Sequence, residues 1–222
     1  MNLYLHTKYI PVGDRGLLVE FGNAVNPAIN RKVHTLNQAI SHFHVNGVEE
    51  CVPTYRSLLI YFDSSKTSYD DLVFSLKDIE KDLSDFTLPV RKQVIEVPVT
   101  YGCSYGPDLD YVAKLHGLSK EEVISLHTER EYIVYMVGFI AGFPYLGEVP
   151  DSIATPRLKT PRLKVPAGSV GIAGKQTGIY PCESPGGWQI IGRTRIRLFN
   201  PKKHPPSLIR PGDIVRFKHA RE

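Results

Sequence analysis

Glycine and proline divide this chain more sharply than any other feature. Eleven of the 18 glycines and 11 of the 17 prolines lie from Gly138 onward. Both residues punctuate regular structure, so long helices are excluded there. Between them stand short apolar segments at 133–139, 170–173, 178–180, 188–191, 197–199 and 214–217. Many short strands separated by turn residues predict an all-β region, closed as a barrel.

The first 90 residues read differently. Ile29, Val33, Leu36, Ile40 and Phe43 step by three and four, which predicts a helix over 27–44 ended by Gly47. Leu72, Leu76, Ile79 and Leu83 predict a second helix over 69–83. Apolar runs at 17–21, 48–52, 58–62 and 94–99 read as strands. The order β-α-β-β-α-β is that of a ferredoxin-like α/β sandwich, its two helices on one side of an antiparallel sheet. The 222 residues thus read as an α+β chain with a ferredoxin-like domain over 1–90 and a barrel domain over 91–222. The stretch 102–106 reads as a linker, followed by two short helices. The second opens with the capping box Ser119-Lys120-Glu121-Glu122.

Composition excludes several classes. Hydrophobic residues at 42% and charged residues at 23% are those of a soluble globular chain with a core of its own, not a disordered one. Cys51, Cys103 and Cys182 form no CxxC pair, which suits free thiols in a reducing compartment and disfavours a zinc site. Residues 1–15 lack the apolar core of a signal peptide. The longest uncharged stretch, 132–147, is too short and too rich in glycine to span a bilayer. A cytoplasmic protein without membrane contact is expected. Charge is uneven: 152–221 carries 14 lysines and arginines against Glu183 and Asp213 alone. Such an excess suits an anionic ligand or acidic partner, or else a solvated basic face. No stacking platform or recognition motif points to nucleic acid.

Within that basic stretch, Thr155-Pro156-Arg157 and Thr160-Pro161-Arg162 repeat at a spacing of five. Proline fixes each backbone, and arginine presents planar donors to carboxylate or phosphate. The pair suits an anion clamp, or simply a solvated loop. The string 168–177 resembles a phosphate loop but has five residues before Gly174-Lys175, with Gln176 where a magnesium-binding hydroxyl belongs, so that reading is rejected. Gly186-Gly187-Trp188 places the only tryptophan after a turn, either at a ligand or as a barrel anchor. Phe139, Phe143 and Tyr145 sit on a glycine–aromatic loop that lines a pocket, forms an interface or packs in the core. His127 precedes that loop and is a candidate proton carrier or a structural histidine. No metal site is expected, because the eight histidines form no convergent set.

Taken together, Leu126-His127-Thr128, 134–139, 142–147, 160–162, 165–170, 176–180 and 184–194 resemble the PxpB family, the B components of 5-oxoprolinase, formerly labelled allophanate hydrolase subunit 1. The family includes the KipI-type inhibitors of a sporulation histidine kinase. The resemblance extends to Gly13-Asp14, Pro53-Thr54-Tyr55 and Ser57-Leu58-Leu59, and departs at Ala141, where the family pattern usually has proline. It implies a cyclophilin-like β-barrel over the C-terminal half. It also implies two partners, the KipA-like C component of 5-oxoprolinase, with a related barrel, and its A component. The three together would open 5-oxo-L-proline to L-glutamate with ATP and Mg2+, this chain being inactive alone. On that reading Arg157 and Arg162 hold carboxylate or phosphate, Gln176 and Tyr180 orient the ligand, and His127 carries a proton. The alternative within the family is a kinase inhibitor, with Phe139, Phe143 and Tyr145 pressed onto the kinase's dimerisation helices. A third reading is the carboxyltransferase part of a urea carboxylase.

Overall fold

The structure, a computed structural model, describes residues 3–82 and 93–220. The chain divides into two compact units, Met1–Val90 and Arg91–Glu222.

The first unit is a four-stranded antiparallel sheet with two helices. Strands β1 (Leu3–Val12) and β2 (Gly16–Gly22) form a hairpin, helix α1 (Pro27–Phe43) follows, then β3 (Val48–Pro53), β4 (Ser57–Phe62) and α2 (Tyr69–Asp82). Asn26 caps α1, its side-chain oxygen accepting from the Ala28 and Ile29 amides. The helix ends at His44, which takes the left-handed conformation itself, three residues before the expected Gly47. Leu17, Val19 and Phe21 of β2 and Leu58, Ile60 and Phe62 of β4 share a core with Ile29, Val33, Leu36, Leu72 and Leu76 of the helices. Alternate strand residues and one stripe of each helix therefore meet in a single apolar layer. The expected Leu83 lies outside the described residues.

The sheet order is β1-β2-β4-β3, which corrects the expected topology. A ferredoxin-like order would have the run at 94–99 close this sheet beside β2. That place is taken by β1, whose half-polar sequence gives little strand signal, and the 94–99 segment belongs to the barrel instead.

The second unit opens with β5 (Val94–Tyr101), α3 (Leu109–His116) and α4 (Lys120–Thr128). The capping box is present: the Glu122 amide donates to Ser119 Oγ at 3.1 Å, and the Ser119 amide donates to the Glu122 carboxylate at 2.7 Å. Strands β6 (Glu131–Val137), β7 (Pro144–Leu146), β8 (Arg162–Val165), β9 (Ser169–Ala173), β10 (Gln176–Ile179), β11 (Ser184–Gly186), β12 (Gln189–Arg193) and β13 (Ile214–His219) complete it. Seven close into a barrel in the order β10-β7-β6-β13-β5-β12-β9, while β8 and β11 pair outside it. Every barrel contact is antiparallel except β13 on β5, which is parallel. That parallel pair joins segments about 120 residues apart, Ile214 opposite Val94. The expected strand at 197–199 is reduced to one bridge, Phe199 to Ser207. The interior is filled by Val97, Val99, Val134, Val170, Ile172, Val215 and Phe217, so the barrel is a packed core and not a channel. Among the described residues no helix is long and apolar enough to cross a membrane.

Candidate functional site

A second, smaller apolar cluster sits beside the barrel core. Phe143, Val165, Ala173, Tyr180, Trp188 and Ile190 pack there, with Ile140 and Tyr145 against them. Phe143 is its centre. Its ring meets those of Tyr145 at 4.8 Å, Tyr180 at 5.1 Å, Trp188 at 5.3 Å and Phe139 at 5.9 Å, mostly edge to face.

This cluster floors a cleft of about 280 Å³ walled by Phe139, Tyr145, Arg157, Tyr180, Gly186, Gly187 and Trp188, with Pro161 and Pro185. Seven of the residues singled out in the sequence thus converge on one cavity. Strand β11, with Pro161 just before β8, builds one wall. Gly186 is needed there because a Cβ would lie 2.3 Å from the Tyr180 hydroxyl. The glycine–aromatic loop builds another: Phe139 adopts φ +65° and is 63% exposed, whereas Phe143 is buried. Arg157 places its guanidinium 5.8 Å from the Trp188 ring centre, over an aromatic face. Burial pushes the Tyr145 and Tyr180 phenols up, and the neighbouring Arg157 draws both partly back. Both are therefore neutral hydrogen-bond donors at physiological pH. An aromatic slot with two phenols and one guanidinium suits a small, flat, partly apolar ligand carrying one carboxylate.

Three expected residues stand elsewhere. Arg162, the twin of Arg157 in sequence, donates to the Asp108 carboxylate at 2.6 Å and to the Trp188 carbonyl at 3.3 Å. Asp108 also accepts from the Ile190 amide at 2.6 Å. Arg162 therefore ties the start of α3 to β12 behind the tryptophan, which corrects its expected place in an anion clamp: its charge is already met. Sequence reasoning misses Asp108, which sits in a Gly-Pro-Asp turn; its position before an apolar helix is the only signal. Gln176 opens β10 opposite Ala173 and does not line the cleft.

His127 is wholly buried at the end of α4. Thr177 Oγ1 donates to the Gly171 carbonyl at 3.1 Å, so it accepts from His127 Nε2 at 2.9 Å. Nδ1 then accepts from the Tyr101 hydroxyl at 2.8 Å. The Phe217 ring lies 4.5 Å away. Burial pulls the imidazole down to about 3, and a neutral ring with both nitrogens engaged is what this environment allows. The histidine joins barrel strands and lines no part of the cleft.

Residues 7–209 match the carboxyltransferase domain, subdomain C and D, family. The 5-oxoprolinase B component of Bacillus subtilis (strain 168) is 43% identical over 221 residues, covering 95% of this chain and 92% of that protein. The crystal structure of TTHA0988 superposes with a TM-score of 0.82 at 39% identity, over 94% of this chain. This chain spans only 40% of that longer polypeptide. The urea amidolyase of Saccharomyces cerevisiae is 27% identical over 94% of this chain, which corresponds to 13% of the yeast protein. Likeness at this level along almost the full length, on a barrel that carries the aromatic–arginine cleft, places the chain in the PxpB family of 5-oxoprolinase B components.

Proposed function

We propose that this chain is the B component of an ATP-dependent 5-oxoprolinase that, with the A and C components, opens 5-oxo-L-proline to L-glutamate. One observation carries the reading: 43% identity over 95% of the chain to a 5-oxoprolinase B component. The longer polypeptide of TTHA0988, of which this chain matches 40%, supports a partner beside this one. On the same reading the barrel is cyclophilin-like. The first unit is a ferredoxin-like sandwich with β1 in the place of the last strand. The assembly is cytoplasmic.

The cleft suits the substrate. A five-membered lactam is a flat, mostly apolar ring with one carboxylate. Trp188 and Tyr145 offer faces for the ring, Arg157 a fork for the carboxylate, and the Tyr180 phenol a donor for the lactam oxygen. An amide carbonyl is a poor electrophile; transfer of the terminal phosphoryl group of ATP to its oxygen, with ADP leaving, would make the ring carbon electrophilic enough for one water to add and break the C–N bond, and a second water would release phosphate from the resulting acyl phosphate. Among the described residues no cluster of three histidine, cysteine or carboxylate side chains stands ready for a metal ion. Mg2+ would arrive as the complex of the nucleotide's phosphates, where it would neutralise part of their charge. This chain's share of the work is to bind and orient the lactam.

Reconstitution with the A and C components tests the proposal. ADP and glutamate release that requires 5-oxoproline is the expected result, and Arg157→Ala raises KM at least tenfold. An assembled complex that releases no glutamate refutes the function. Unchanged kinetics in the variant remove Arg157 from the site. The exposed Phe139 ring also suits a kinase-inhibitor surface, and undisturbed kinase autophosphorylation in the presence of this chain eliminates that alternative.

A further inference from the structure

A second cavity of the barrel unit, of about 560 Å³, has a different chemistry. Arg193, Arg195 and Arg197 line it, together with Thr100, Tyr105 and Gly168. No acidic residue is in its wall. Among the described residues none of the three arginines makes an ion pair, although 11 such pairs occur elsewhere.

Two of the three arginines are anchored, while Arg195 stands exposed between them. Arg193 Nε donates to the Ala167 carbonyl at 2.8 Å, and Arg197 Nε donates to the Phe199 carbonyl at 3.1 Å. Each is held by its inner nitrogen, which leaves the two terminal nitrogens as a fork for an oxyanion. The wall is held too: the Thr194 amide donates to the Gly168 carbonyl at 2.9 Å. Gly168 has φ +81°, and a Cβ there would lie 2.1 Å from the Thr194 carbonyl. Arg197 also borders a neighbouring cavity of about 380 Å³ that adds Lys203 and Arg210. Cations gathered in a concave surface without counter-charges repel one another, and an anion relieves that repulsion. One carboxylate cannot occupy three forks, whereas a chain of phosphates can.

We propose that Arg193, Arg195 and Arg197 form a binding site for a polyphosphate chain, that of a nucleoside triphosphate. The choice of a nucleotide rests on the proposed function; the phosphate chemistry does not. The site is separate from the aromatic cleft and shares no lining residue with it.

Calorimetric titration of the full chain with sodium tripolyphosphate, and separately with ATP, tests this. Both bind at 50 mM salt and weaken at least tenfold at 300 mM, since the forks are open to solvent. Arg195→Ala and Arg197→Ala each weaken tripolyphosphate at least tenfold, and Arg195→Lys by less. ATP binding at least as tightly as tripolyphosphate fits the assignment. Three results overturn it: no tripolyphosphate binding at 1 mM, unchanged binding in both alanine variants, or displacement by glutamate as effective as by ATP. Should a variant not fold, modification of the wild-type arginines by phenylglyoxal, read by mass spectrometry, replaces it. Tripolyphosphate then protects Arg195 and Arg197, and absence of protection overturns the site. Binding is read without turnover, so its failure and failure of glutamate release are separate results.

Discussion

Replacing Arg162 by alanine separates the structural role of this arginine from the ligand-binding role its sequence suggests. The Arg162–Asp108 pair is mostly enclosed, with side-chain exposures of 31% and 11%. Truncation leaves the Asp108 carboxylate with the Ile190 amide and little else. Hydrogen bonds to charged groups contribute about 1.5–3 kcal/mol each. Loss of a partner from a fully buried pair costs about 3–5 kcal/mol. Partial exposure places Arg162→Ala at the lower end, about 2–3 kcal/mol. The exposed Lys81–Asp78 pair, at 73% and 56%, contributes under about 0.5 kcal/mol and serves as the control. Thermal unfolding followed by Trp188 fluorescence reads the difference. At roughly 3 °C per kcal/mol for a chain of this size, the melting point falls by about 6–9 °C. Arg162→Lys restores only part, because one ammonium cannot reach both the carboxylate and the Trp188 carbonyl. A variant that melts with the wild type yet loses 5-oxoproline binding refutes the structural assignment and returns Arg162 to the ligand.

Three further outcomes are expected. His127 has its pKa at about 3 when folded, against an ordinary value near 6.5. The unfolded chain therefore binds the extra proton as pH falls below about 6.5, and stability is lost on that side. Urea unfolding at pH 7 and pH 5 differs by about 2 kcal/mol from this group, and His127→Gln removes that increment. An equal change with pH in the two proteins contradicts it. Gly186→Ala drives a methyl into the Tyr180 hydroxyl, whose ring is pinned by Phe143, and destabilises by about 1–3 kcal/mol in denaturant titration. Arg157→Ala stays within about 0.5 kcal/mol of wild-type stability, since its guanidinium borders an open cleft; a large loss of stability means it holds the cleft together.

Local pattern makes much of the chain legible. Helices α1 and α2 follow from apolar spacing, α4 from its capping box, and β9, β12 and β13 from β-branched runs between turns. Partner choice is not legible. The 94–99 strand is visible, but nothing near it says that it pairs in parallel with Ile214–His219 and not with β2. The site shows the same limit. Aromatic crowding around 139–145 is plain, yet the loop turns Phe143 inward and Phe139 outward, which depends on a backbone reversal at Phe139. The identical tripeptides ending in Arg157 and Arg162 meet opposite fates because Asp108, 54 positions away from Arg162, claims one of them. Three alternate arginines at 193–197 register in the sequence only as net charge, since a sequence does not show that they line one cavity with Thr100, Tyr105 and Gly168.

The two cavities also bear on whether one chain is enough. Trp188 stands immediately before β12 and Arg193 ends it, so a rigid strand spaces the aromatic cleft from the arginine cleft. Five residues of extended chain span roughly 16 Å at about 3.3 Å each. Transfer between bound reactants needs the reacting atoms about 3–3.5 Å apart. Arginine side chains shorten the gap but cannot move the strand, which is hydrogen-bonded on both edges to β5 and β9. On the two proposed assignments, a lactam in one cleft and a phosphate chain in the other would bind without reacting on this chain. The isolated protein should bind tripolyphosphate yet show no ATP hydrolysis stimulated by 5-oxoproline, and turnover should begin only when the A and C components bring a reacting group of their own to one of the two cavities. Stimulated hydrolysis by the purified chain alone would mean that one of the two cavities has been given the wrong ligand.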